Sequence, residues 1–175
     1  VAANTVTLAV MQPGRTFVAL NTHGTPTASF VTNPNWQFPG GNCESAVTAA
    51  VGADLVGSFD AEQVAVQLLG DSIYTNPLLL GYAWQQGRVP LSHAALMRAI
   101  ELNGVQVDNN KAAFEWGRRC AHDLAAVQAL FQAARGVAGV GNVSVALRTV
   151  VTAHAVQRGV ALLPGVKNII AVASG

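Results

Sequence analysis

The histidines, cysteines, serines and carboxylates of this chain bound the chemistry it could perform. His23 follows directly on Phe17-Val18-Ala19-Leu20, an apolar run of the length of a buried parallel strand. Parallel α/β proteins place binding groups just beyond the carboxyl ends of their strands, so Asn21, Thr22 and His23 form one candidate interface or substrate-side loop, although a lone histidine in that place is more often a structural hydrogen-bonder. Asp71, Ser72, Thr75 and Asn76 form a second polar cluster. Two such loops at one edge of a sheet would make a binding crevice. Ser72 lies beside Asp71, but no histidine is near in sequence and there is no G-x-S-x-G turn. It is therefore expected to be a helix-end hydroxyl that satisfies backbone groups. His93 and His122 fall on expected helices with no acidic or cysteine partner at ligand spacing, and count as surface or core residues. His154, in Ala153-His154-Ala155-Val156, has the setting of a core histidine. Cys43 and Cys120 belong to no C-x-x-C pattern, so neither a zinc site nor a disulfide framework is indicated. No two carboxylates are spaced for acid/base work. The residues thus assign no catalytic group and no metal site.

The elements that must position these groups alternate between strand and helix. Residues 2–11 fit the end of a helix, and Pro13-Gly14 a turn. Residues 25–42 carry three prolines and two glycines and form the longest expected loop. A short helix is expected over 44–51 and a second strand over 53–59. Asp60 is then the N-cap of a helix through Leu69, which Gly70 ends. Asn76 and Pro77 look like the N-cap and first residue of the next helix, which runs to Gln86 and stops at Gly87. Ser92 caps a helix through Leu102 that Asn103-Gly104 terminates, and Asp108 caps a longer one. Tyr82, Trp84, Phe114 and Trp116 supply core, while the pair Arg118-Arg119 suits a solvated face. Beyond residue 130 strands are expected at 143–147 and 166–174, with a weak helix at 153–158.

The chain has 175 residues, 51% of them hydrophobic and only 11% charged, enough for one packed domain with a small appendage. This apolar balance is expected to serve a surface that meets a partner. A membrane span needs about 20 consecutive apolar residues. The longest candidate, Pro77 to Trp84, is far shorter. With a net charge of +1 and no run of Lys or Arg, no nucleic-acid surface is indicated. Free cysteines and the absence of a recognisable targeting segment point to the cytoplasm. Val1-Ala2-Ala3 at one end and Ala173-Ser174-Gly175 after a strand at the other are expected to be cuts inside a longer protein.

Over about residues 1–130 the chain resembles the gamma domain of indolepyruvate ferredoxin oxidoreductases. The motifs are Pro13-Gly14-Arg15-Thr16 leading to Asn21-Thr22-His23, and Gly70-Asp71-Ser72-Ile73-Tyr74-Thr75-Asn76 with Leu80-Gly81-Tyr82-Ala83-Trp84-Gln85. Pro90-Leu91-Ser92, Ala99-Ile100-Glu101-Leu102-Asn103-Gly104-Val105, Asn110-Lys111 and Phe114-Glu115-Trp116-Gly117-Arg118-Arg119 continue in order. Gly24 and Pro26 stand where that pattern has Glu and Met. The resemblance implies a helix-rich α/β fold, a partial three-layer parallel-sheet domain without its opening strand and glycine-rich turn. It implies a piece of an enzyme that oxidatively decarboxylates aryl 2-oxoacids and passes electrons to ferredoxin. Thiamine diphosphate and iron–sulfur clusters would sit on partner subunits or domains, none of them held by this chain alone.

Residues 131–175 resemble a different family, the Mrp-type P-loop ATPases of iron–sulfur assembly. Ala133-Ala134-Arg135-Gly136-Val137-Ala138-Gly139-Val140 with Val143-Ser144-Val145 is similar to their small leading domain. Residues 153–160 and 163–175 are similar to the linker and first ATPase strand, with the chain ending at the phosphate loop's first glycine. Without the Lys of that loop no nucleotide site is expected. Three readings follow: a fused, non-autonomous oxidoreductase fragment; an iron–sulfur carrier or assembly factor; or a recombined binding protein with no inherited catalysis.

Overall fold

The computed structural model describes residues 4–24, 40–135 and 171–173. It is a helix-rich α/β protein with one small parallel sheet, as expected at the level of class. The described residues divide into two compact units, one running up to Ala61 and including residues 171–173, the other running from Glu62 onward.

In the first unit Asn4 caps helix α1 (Thr5–Ala9), its side-chain oxygen accepting from the Val6 amide at 2.8 Å. Strand β1 (Val18–Asn21) is buried along its whole length, which is why it reads as a continuous apolar run. Helix α2 (Gly40–Val51) leads through a 3₁₀ turn (Ala53–Leu55) into β2 (Val56–Phe59). The helix begins four residues earlier than the sequence suggests, and the expected strand is shortened at its front. Gly52, at φ 99°, takes a conformation closed to residues with a Cβ and turns the chain into the 3₁₀ segment. Residues 25–39 of the expected loop lie outside the described residues.

β1 and β2 pair in parallel, with Val18 opposite Val56 and Asn21 opposite Phe59. Strand β3 (Ala171–Ala173) pairs in parallel with the other edge of β1, giving the order β2-β1-β3. Met11, Val18, Leu20, Val47 and Val51 form the core of this unit, with Leu8, Ala50, Leu55 and Val56 packed around it. Ser58 ties β2 to α2 by donating to Glu44 at 2.6 Å. The strand expected over 166–174 is described only at 171–173, and the elements expected at 143–147 and 153–158 lie outside the described residues.

Helix α3 (Ala61–Leu69) follows β2, and Gly70 at φ 84° ends it. In the second unit Asp71 caps a 3₁₀ turn (Ser72–Tyr74), accepting from the Ile73 amide at 2.9 Å. Helix α4 (Thr75–Gln85) grows directly out of that turn. Asn76 is therefore not an N-cap, a correction with a simple cause: Asp71 starts the chain turning earlier. Pro77 is tolerated because first-turn amides have no intrahelical acceptor. Helix α5 (His93–Asn103) is capped by Ser92, which accepts from the Ala95 amide at 3.2 Å, and closed by Gly104 at φ 71°.

Helix α6 (Val107–Arg135) begins one residue before the expected cap and breaks at Asp123, whose φ of −155° and ψ of 91° are extended. The Asp123 carboxylate accepts from the Ala126 amide at 2.8 Å and so restarts the helix. The boundary expected at 130/131 falls within this helix. Helices α4 and α6 cross in backbone contact. A Cβ on Gly81 would collide with the carbonyl of Phe114, and one on Gly117 with that of Leu78. Leu78, Leu79, Ala83, Ala113 and Phe114 are fully buried, and Trp116 and Cys120 nearly so.

Candidate functional site

The parallel register of β1 and β2 brings their carboxyl ends side by side. Thr22 extends the ladder by one bond, its amide donating to the Phe59 carbonyl at 3.0 Å. The next residue on one strand is His23, and the residue after Phe59 on the other is Asp60. The His23 Nδ1 lies 3.1 Å from each oxygen of the Asp60 carboxylate. An ionised carboxylate only accepts, so Nδ1 carries the proton.

Asn21 holds this pair from below. It is buried, and its side-chain oxygen accepts from the amides of both His23 and Ala61, each at 3.1 Å. One side chain thereby fixes the backbone at His23 and immediately after Asp60. The imidazole and the carboxylate keep 37% and 35% of their side-chain surface open to solvent. The sequence groups Asn21, Thr22 and His23 as one candidate loop and gives Asp60 only a capping role. The signal for the pairing was the position of both residues one step beyond consecutive strands.

The second expected cluster lies in the other compact unit. Asp71, Ser72 and Asn76 are exposed, while Thr75 is buried and donates its hydroxyl to the Ser72 carbonyl at 2.7 Å. Asp71 and Thr75 thus bond the backbone around the start of α4. Tyr74, beside them, is buried and accepts from Asn109 of α6 at 2.8 Å.

The same unit holds a polar network that sequence spacing did not reveal. His93 Nε2 lies 2.6 Å from Glu115, across 22 residues of chain. The other carboxylate oxygen of Glu115 accepts from Arg118 at 2.7 Å, and Arg118 Nε donates to Gln85 at 3.1 Å. Arg118 also lies over the ring of Trp84, 4.8 Å from its centroid. Arg118 is therefore buried, contrary to its expected place on a solvated face: the ion pair, the amide and the ring offset its desolvation. His122 is exposed, and His154 lies outside the described residues.

Burial pushes the Cys120 thiol up to about 12, so it stays protonated and unreactive at neutral pH. Burial, then the neighbouring Cys120, raises Tyr82 above the usual phenol value. Among the described residues no three His, Cys, Asp or Glu side chains are grouped to hold a metal ion. Nor is any helix there long and apolar enough to cross a membrane. No protein-family profile, curated protein or solved structure matches the chain.

Proposed function

We propose that the chain is a non-autonomous part of a 2-oxoacid:ferredoxin oxidoreductase of the indolepyruvate type. Residues 1–130 act as a partial three-layer, gamma-like domain that packs against thiamine-binding subunits or domains. Those partners carry the thiamine diphosphate and iron–sulfur clusters and do the oxidative decarboxylation of aryl 2-oxoacids, with ferredoxin taking the electrons. This chain supplies a cytoplasmic interface or substrate-side loop to that assembly. The observation that supports the reading is the position of Asn21-Thr22-His23 at the carboxyl edge of a buried parallel strand. That edge is where open α/β sheets present ligand-facing groups. Reconstitution tests it: the chain, mixed with thiamine-binding subunits stripped of their own gamma domain, should raise 2-oxoacid-dependent dye reduction. Absence of both turnover and association counts against it.

A second reading has its own support. β3, from the far end of the chain, pairs with β1 in the first sheet. That pairing favours a single recombined binding protein over two unconnected fragments. Limited proteolysis separates the two: a recombined fold protects residues 171–173 together with β1, whereas an appended fragment is trimmed away first.

A further inference from the structure

We propose that Asp123 is a two-state joint in α6, about which residues 124–135 swing as an arm between the bent position and a straight continuation of the helix. Straightening lifts the apolar stripe of Leu124, Val127 and Phe131 off its seat. The joint lies within one compact unit, and its action does not depend on which partners the chain has.

The break needs no glycine or proline. Ala121-His122-Asp123-Leu124-Ala125 contains neither, and sharp helix kinks arise at such residues or where a side chain enters the backbone ladder. Here the Asp123 carboxylate enters it, accepting from the Ala126 amide at 2.8 Å while its own backbone is extended. In an uninterrupted helix the same amide would bond the His122 carbonyl four residues back. The Ala126 amide thus has two acceptors, and rotation at one residue exchanges them. On the near side of the break, Gln86 donates to the Ala121 carbonyl at 3.4 Å, a second bond that can be exchanged. His122 and Asp123 are exposed, which lets water replace either bond during the exchange.

The two halves of α6 are held differently. From Asn110 to Ala121 no residue is exposed, and the Gly117 backbone lies against that of Leu78 on α4. Beyond the joint, Val127 and Phe131 are buried and Leu124 half-buried, at the i, i+3, i+7 spacing of one narrow helix face. Every other residue from 125 to 133 is exposed. A thin seat of this kind belongs to the low end of local stability, from which moving elements are drawn. The first half is therefore a fixed post, and the second is attached by one stripe and one cap.

Paired spin labels read the swing. In the full chain carrying Cys43→Ser, labels placed through Ala99→Cys on α5 and Gln132→Cys on the arm report their separation by pulsed electron resonance. Cys120 is buried and protonated and stays unlabelled. The lever from the joint to residue 132 is about 14 Å long at the helical rise, enough to separate the two states. The unaltered joint should give a main distance and a minor second one. Asp123→Ala removes the cap and favours helix, so the second distance should gain about tenfold in population. Asp123→Asn keeps a capping side chain and should leave the main distance dominant. An unchanged distribution in Asp123→Ala, or a broad one without a second maximum, overturns the proposal. Should that variant fold poorly, amide exchange of the unaltered chain decides: the arm should exchange about tenfold faster than residues 113–121. Equal protection on both sides of Asp123 contradicts the joint.

Discussion

Gly81 of α4 lies so close to Phe114 of α6 that any β-carbon at position 81 would overlap the Phe114 carbonyl oxygen. Gly117 repeats the relationship against Leu78 on the opposite helix. The two helices therefore touch through their backbones, and neither can shift without opening the layer that buries Leu78, Leu79 and Phe114. Gly81→Ala and Gly117→Ala should each destabilise the chain by about 2–3 kcal/mol or more, because overpacking against backbone has no side chain to yield. Ala83→Gly, on the same helix, should cost only about 1 kcal/mol through propensity, plus a methyl-sized loss of packing. Thermal and urea unfolding of the three variants checks the ranking.

Asn21→Ala should cost about 1–3 kcal/mol, since it leaves the amides of His23 and Ala61 without their shared acceptor. It should also disturb the His23 ring signals, which a loss of packing elsewhere would leave in place. Chemical denaturation and the histidine nitrogen spectrum measure the two effects on the same sample.

Arg118 is held by Glu115, Gln85 and the face of Trp84 at once. Arg118→Lys keeps the charge but cannot reproduce the planar fork, so a loss of about 1–2 kcal/mol is expected. Arg118→Ala should lose about 2–4 kcal/mol, because Glu115 is left without its partner on α6. Tryptophan emission should change in both variants, reporting the altered surroundings of Trp84.

Cys120 should resist alkylation in the native chain at neutral pH and react fully once the chain is unfolded. Its pH effect has a definite sign. The thiol is raised to about 12, so the fold favours the protonated form; that contribution is complete below the ordinary thiol value and is lost as pH rises toward about 12. Tyr82, raised for the same first cause, adds to the loss in the same direction. Unfolding midpoints should therefore fall between mildly and strongly alkaline pH, and Cys120→Ala should flatten that fall while lowering stability at neutral pH through the small cavity it leaves.

What the sequence discloses about this chain is local, and what it conceals is topological. Ser92 and Gly104 bracket α5 as expected, because a cap and a left-handed stop act within one turn. Asn76-Pro77 is also a good start signal, and only the 3₁₀ turn capped by Asp71 shows that α4 starts before it. His93 and Glu115 are 22 residues apart, and His23 and Asp60 are 37 apart. No spacing rule links such pairs. His23 and Asp60 could be joined only by supposing that β1 and β2 are neighbours in parallel, a supposition the hydrophobic runs alone do not require. Arg118 shows the same limit: its charge argued for solvent, and its burial depends on an amide and a ring presented by another helix.

Association of the chain with its proposed partners tests the central claim most directly. Sedimentation of the full chain with the isolated thiamine-binding subunits of an indolepyruvate-type oxidoreductase should give a single faster-moving complex that contains both, at micromolar concentration. Separate boundaries for the two components, unchanged across the concentration range and with no gain in 2-oxoacid-dependent dye reduction, would contradict it.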